Sequence, residues 1–169
     1  MQIKSLNDVL VEQISDLYSA ERQLVDALPK VAVAAQNADL KEAFEKHLAE
    51  TRNHVARLER IFDSGSVPRV EEHCEGMEGL IREGEHVVEA SGDAAAKDAA
   101  LIAAAQRIEH YEIAGYGTAR TLADQLDLAE ARDLLDETLD EEGKADKTLT
   151  TIATGRLFRA GINEAAASR

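Results

Sequence analysis

The chain has 169 residues, 44% of them hydrophobic and 31% charged, enough for one domain with its own core. Its formal net charge of −14 excludes a nucleic-acid binder resting on a basic footprint and argues against anionic membrane surfaces. A lone cysteine, Cys74, excludes an intrachain disulfide and a cysteine-rich zinc or rubredoxin-type iron site.

Aromatic residues make up 4% of the chain, and Ala, Leu, Glu and Asp dominate, as in long helices. The opening MQIKSLNDVLVEQ has no apolar signal core and no run reaches the length of a membrane span. A cytoplasmic protein in a reducing setting is expected.

The first predicted helix runs from about Leu6 to Gln36, with Leu10, Ile14, Leu17, Leu24 and Leu28 on one stripe. Pro29 is expected to kink or interrupt it. The second opens at Asp39, which with Glu42 has the spacing of a capping box. It runs to about Phe62, with Leu40, Phe44, Leu58 and Ile61 on one face, and ends through Gly65 and Pro68. Residues 70–91 form a shorter segment with Cys74, Met77, Leu80, Ile81, Val87 and Val88 on its apolar side. A turn and cap at 91–93 lead into the third long helix, from about Ala94 to Leu126. Asp127 and Glu130 repeat the capping-box spacing before the fourth, which runs to about Ala153 and stops at Gly155. Two long helices, a long connection and two more long helices give an all-α four-helix bundle whose single crossover carries an extra short helix. Residues 1–155 are expected to form the bundle domain and 156–169 a loose tail or docking piece.

Polar residues interrupt every stripe. Steps of three and four pass through Glu21 in the first helix, and through His47, Glu50 and His54 in the second. They pass through Glu109 and Glu112 in the third, and through Glu142 and Asp146 in the fourth. A buried, unpaired carboxylate costs several kcal/mol, and several would threaten a domain stabilised by only about 5–15 kcal/mol. A hydrogen-bonded polar layer is one solution. A pair of metal ions is the other, and bundle cores are where carboxylate metal sites are built. Glu21, Glu50, Glu109, Glu112, Glu142 and Asp146 carry six negative charges if all ionise. Two divalent ions leave a charge of −2, two trivalent ions leave zero, and oxygen-rich ligation with an imidazole suits iron or manganese.

These residues lie in DLYSAERQLVDALPK, HLAETRNHVARLE, CEGMEGL, LIAAAQRIEHYEIAGYGTARTLA and LDEEGKADKTLT. In order and spacing, over about residues 5–153, the segments resemble the YciE/YciF family of ferritin-like stress proteins. The resemblance implies a ferritin-like bundle, a rubrerythrin-type dinuclear metal centre, cytoplasmic dimers and a role in stress response. It implies Glu21 as the acid of the first helix, Glu109 and Glu112 as the Glu-x-x-Glu of the third, and Glu50 and Glu142 as acids of the second and fourth. Ferritins and rubrerythrins usually continue Glu-x-x-His, but here that place holds Asn53 and Ala145, with His54 and Asp146 one residue later. The candidate ligands are therefore Glu21, Glu50, His54, Glu109, Glu112, Glu142 and Asp146, with Asn53 an alternative to His54.

His47 is read as a core residue or a partner orienting a carboxylate, and His110 as lying outside the metal ligands. Of Tyr18 and Tyr116, Tyr18 is the one expected as a partner of the centre. His73 and His86 read as surface residues, and Cys74 as a small apolar one. The expected activity is ferroxidase or peroxidase-like reaction of two iron (alternatively manganese) ions with O2 or H2O2. Electrons would come from Fe(II) or an external donor, because the chain has no four-cysteine iron domain. Catalase-like dismutation, needing no donor, is the enzymatic alternative. A non-catalytic structural or metal-binding stress protein is the alternative from another class. A homodimer is expected, with neither nucleic acid nor membrane as partner.

Overall fold

The computed structural model of the chain describes residues 3–156 and 159–168. Four long helices, α1 (Leu6–Ala34), α2 (Ala38–Asp63), α4 (Ala94–Gln125) and α5 (Ala129–Thr154), form the bundle. The short α3 (Glu75–Glu89) lies in the long connection between α2 and α4. Each short connection folds a helix back on its predecessor, so α1 packs on α2 and α4 on α5. α2 also meets α5, α1 meets α4, and α3 covers the seam between α1 and α4. α4 meets α1, α3 and α5, and several of its alanines (Ala94, Ala96, Ala100, Ala103 and Ala114) stay exposed, where alanine's high helix propensity supports the long helix. No helix among the described residues is long and apolar enough to cross a membrane.

The helix ends show where sequence and structure part. Ser5 and Asp8 form a reciprocal capping box at the start of α1. α2 starts one residue before Asp39, and its cap is Asn37, whose Oδ1 accepts the Asp39 and Leu40 N–H groups at 3.0 and 3.1 Å. At the start of α5, Asp127 has φ 56° and Leu128 takes the cap position without a side-chain hydrogen bond. Neither predicted Asp–Glu capping box forms, since each Asp is outcompeted for the cap by a neighbour. Asp93 does cap α4, accepting the Ala96 N–H at 3.0 Å. α1 continues through Pro29 without a break to Ala34. α3 is shorter than expected, because Cys74 is its N-cap and residues 70–73 stay outside it.

Beyond α5, β1 (Gly155–Arg156) and β2 (Arg159–Ala160) form a two-residue antiparallel pair, followed by α6 (Ile162–Ala167). α6 packs against α4 and α5, and Ile162 joins the bundle core. This docking needs a glycine at 161, where a Cβ would lie only 2.4 Å from the Ala153 carbonyl oxygen and the Gly155 nitrogen.

Two apolar cores result. One gathers Leu24, Leu28, Leu40, Phe44, Met77, Leu101 and Leu149, and the other Leu10, Ile14, Leu17, Leu58, Ile61, Tyr116 and Leu135. Along each long helix, the residues that interrupt the stripe fall between the two. Gly115 sits where a Cβ would meet Leu17 Cδ2 at 2.8 Å, so α1 and α4 approach closely one turn from Glu112.

Asp98 on α4 fixes the α1–α2 connection. It is 2% exposed and accepts the Gln36 N–H at 2.9 Å and the Asn37 N–H at 2.7 Å. Asp98→Ala would leave two backbone donors without partners. Since hydrogen bonds to a charged group contribute about 1.5–3 kcal/mol each, a loss of about 3–6 kcal/mol is expected. It would be read as a lower urea midpoint at unchanged slope, and a loss below about 0.5 kcal/mol would refute this role for Asp98.

Candidate metal centre

Between the two cores lie Glu21 from α1, His47 and His54 from α2, Glu109 and Glu112 from α4, and Glu142 from α5, all at most 6% exposed. Potential ligand atoms of His47, Glu109, Glu112 and Glu142 lie within 4.8 Å of one another, as do those of Glu21, His54 and Glu142. Glu142 belongs to both groups, so the cluster offers two adjacent cation positions sharing one carboxylate.

The histidines bind the layer together. His54 Nδ1 lies 2.9 Å from Glu142 Oε1 and 3.1 Å from Glu21 Oε1, shared between two carboxylates and aligned for a hydrogen bond with neither. Its Nε2 is 2.9 Å from Glu141 Oε2, and Glu141 is gripped by Arg57 at 2.6 and 3.1 Å. An imidazole anchored this way at one nitrogen presents the other to a cation, as metal-ligating histidines do. His47 Nε2 is 3.4 Å from Glu109 Oε1 and 3.9 Å from Glu142 Oε2. Tyr116, wholly buried, donates its hydroxyl to Glu21 Oε1 at 2.6 Å.

Several buried atoms still lack a hydrogen-bond partner: Glu21 Oε2, Glu109 Oε2, and both carboxylate oxygens of Glu112 and of Glu142. A polar layer built for packing alone would satisfy such atoms, so these point to cations as their partners. The donor set fits two of them. Glu21, Glu109, Glu112 and Glu142 carry four negative charges when ionised, two divalent ions carry four positive ones, and the sum is zero. Four carboxylates with two imidazoles suit iron or manganese.

Of the residues that the sequence singles out, Glu21, His54, Glu109, Glu112 and Glu142 come together. Glu50 lies at the edge, its side chain 21% exposed, 3.9 Å from His47 Nδ1 and paired with Lys46. Asp146 turns away to accept Gln106 Nε2 at 2.8 Å, with His110 at 3.5 Å. Asn53 is exposed. Tyr116 rather than Tyr18 touches a cluster residue, since the Tyr18 hydroxyl pairs with Glu59 and Arg69. His47 joins the cluster directly. The signal was its place seven residues before His54, two helical turns that keep both rings on one face. Glu141 lies off every apolar stripe, and only the packed α2–α5 pair shows its role.

Without a cation, protons neutralise the layer. Burial opposes charge on His47, but Glu109, Glu50 and Glu142 raise it to about 9. Burial likewise opposes charge on His54, and Glu142 and Glu21 lift it to about 11. Burial, then the neighbouring carboxylates, push Glu112 well above the usual range. Burial does the same to Glu109 despite His47. Burial also raises Glu21. Glu142 moves down, because His54 and His47 outweigh its burial. The His47 imidazolium and Lys46 hold Glu50 down to about 2, through charge rather than a hydrogen bond at 3.9 Å.

The family model for DUF892, a domain of unknown function, matches residues 5–167. The chain belongs to the DUF892 family. It is 45% identical to Protein YciF of Escherichia coli K12 over 166 residues, 98% of this chain and 100% of that one. The fold is similar to that of the crystallised E. coli stress protein YciF, with TM-score 0.85, 46% identity, and 88% and 94% of the two chains covered. YcfI of Rhodopseudomonas palustris matches with TM-score 0.85 at 36% identity, covering 90% of this chain and 97% of that one. A Xanthomonas campestris protein shares the fold alone, with TM-score 0.67 at 18% identity over 86% and 89% of the two chains.

Groups that hold protons more tightly when folded stabilise the fold at low pH and lose that contribution as pH rises. His47 contributes fully below 6.5 and loses its share through about 9, and His54 does so up to about 11. Glu21, Glu109 and Glu112 act in the same sense from 4.5 upward. Glu50 and Glu142 run the other way, their contribution present above 4.5 and, for Glu50, lost as pH falls through about 2. Metal-free protein is therefore expected to melt at a lower temperature at pH 9 than at pH 6.5. Calorimetry showing equal or higher melting at pH 9 would contradict the proton-filled layer.

Proposed function

We propose that the cluster holds two iron or manganese ions and that the loaded centre reacts with O2 or H2O2, in a cytoplasmic stress-response protein acting as a homodimer. The observation that carries this reading is the row of buried carboxylate oxygens without donors, beside two imidazoles, in a layer that two divalent ions would bring to zero charge. Bound there, such ions supply reversible electron transfer toward a small oxidant. The likeness to the E. coli stress protein YciF supports the cellular role.

The chain's own residues bind, orient and exclude water. His47, Glu109 and Glu112 would hold one ion and Glu21 and His54 the other, with Glu142 between them. Arg57 fixes Glu141, Glu141 fixes the His54 ring, and the Tyr116 hydroxyl holds Glu21. The two apolar cores keep bulk water from the layer. Turnover beyond the electrons of Fe(II) would require an external donor. The same burial favours a second reading, in which the ions only neutralise the layer and stabilise the fold, with no reaction.

Elemental mass spectrometry of protein purified without chelator is expected to find about two iron or manganese ions per chain. Glu112→Gln/Glu142→Gln should lose them, and Asp146→Asn should keep them. No metal after anaerobic loading with Fe(II) or Mn(II) would overturn the reading. Bound metal that neither O2 nor H2O2 oxidises would select the non-catalytic reading. In Glu141→Ala, Mn(II) affinity measured by calorimetric titration should fall about 10–100-fold, and an unchanged affinity would remove Glu141 from the site.

A further inference from the structure

A cavity of about 40 Å³ lies between α1, α3 and α4, with Phe44 and His47 of α2 completing its lining. Leu24, Leu28, Ile81, Leu101 and Ile108 supply much of its wall. Its charged lining is divided by depth. On the exposed side, Lys30 and Glu85 join α1 to α3 through an ion pair of 3.0 Å, with side chains 62% and 45% exposed. On the buried side are His47 and Glu109, 6% and 3% exposed, both members of the ligand cluster. Glu109 Oε2, among the atoms without a donor, belongs to this inner end. The space therefore leads from the surface to the cluster between mostly apolar walls.

Small residues keep it open. Gly84, buried in α3, faces Ala104 of α4, and a Cβ built on Gly84 would have the Ala104 Cβ as its nearest neighbour, at 4.0 Å. The volume exceeds the roughly 10–15 Å³ that a single water requires, but water needs several polar partners as well as room. Hydrogen peroxide would also give up hydrogen bonds that the apolar wall does not replace. A small apolar molecule loses nothing by entering.

We infer that this cavity is a binding site for molecular oxygen, entered past the Lys30–Glu85 pair and leading to the His47–Glu109 edge of the cluster. Passage onward rests on the cluster being a metal centre, whereas binding of the gas does not. The two are separable by experiment.

Metal-free protein labelled at Leu and Ile methyl groups, under a few bar of oxygen, provides the direct test through paramagnetic relaxation. Methyls of Leu24 and Leu101, which line the cavity, are expected to relax severalfold faster than those of Leu10, Ile14 and Leu135, equally buried in the other core. Gly84→Leu should abolish the contrast by filling the space. Ala105→Leu, placed on α4, serves the same purpose should Gly84→Leu fail to fold. Equal relaxation of the two sets in the wild type, or a contrast that survives both substitutions, would overturn the site. In Fe(II)-loaded protein, the substitutions should slow oxidation by dissolved oxygen severalfold and leave oxidation by hydrogen peroxide unchanged. An unchanged rate with oxygen would overturn the route. A protein that takes up no metal would instead remove the function proposed above and leave the relaxation contrast intact.

Discussion

Four carboxylates buried between two apolar cores set the constraint on which this bundle depends. Glu21, Glu109, Glu112 and Glu142 cannot all be ionised there without compensation, because each desolvated charge costs several kcal/mol. Protons can supply the compensation, carried by His47, His54 and the carboxyl groups themselves. Cations could supply it too, because several of these carboxylate oxygens have no hydrogen-bond donor. Either way the layer is held at one height by four helices, so the chain must keep those helices in register.

The surrounding structure answers that need. Asp98 clamps the α1–α2 connection to α4, Gly115 lets α1 come close to α4, and Arg57 ties α2 to α5 through Glu141 and Glu137. Each contact crosses between helices that contribute residues to the buried cluster. The tie through Glu141 does double duty, because the same carboxylate fixes the outer nitrogen of His54. α3 is less involved in register and more in access, since it roofs the seam beside which His47 and Glu109 lie.

Much of this was legible in the chain. Helical stripes predict four long helices and a crossover, and the residues breaking those stripes include all six cluster members, five of which are also expected as ligands. The differences between the expected and the observed placements come from helical phase and local competition. Glu50 sits three residues from His47, about 60° around the helix, whereas His54 sits seven away and within about 20°. Asp146 is about 40° beyond Glu142, enough to carry it to the outer α4–α5 seam, where Gln106 receives it. The α2 and α5 caps were misplaced because a short polar residue two positions earlier (Asn37) or a left-handed turn (Asp127) decided the helix start. Glu141 and the Tyr116 hydroxyl gained their roles only from neighbouring helices, which no single-helix pattern encodes.

Glu142 stands at the boundary between the two ligand groups, and the division around it is uneven. One side combines it with two further carboxylates and His47, the other with Glu21 and His54. Two identical cations placed there would experience different fields and different ligand counts. Occupancy would be ordered, the more anionic pocket filling first. A half-loaded chain would then be a distinct chemical species, with one side of Glu142 occupied by a cation and the other not.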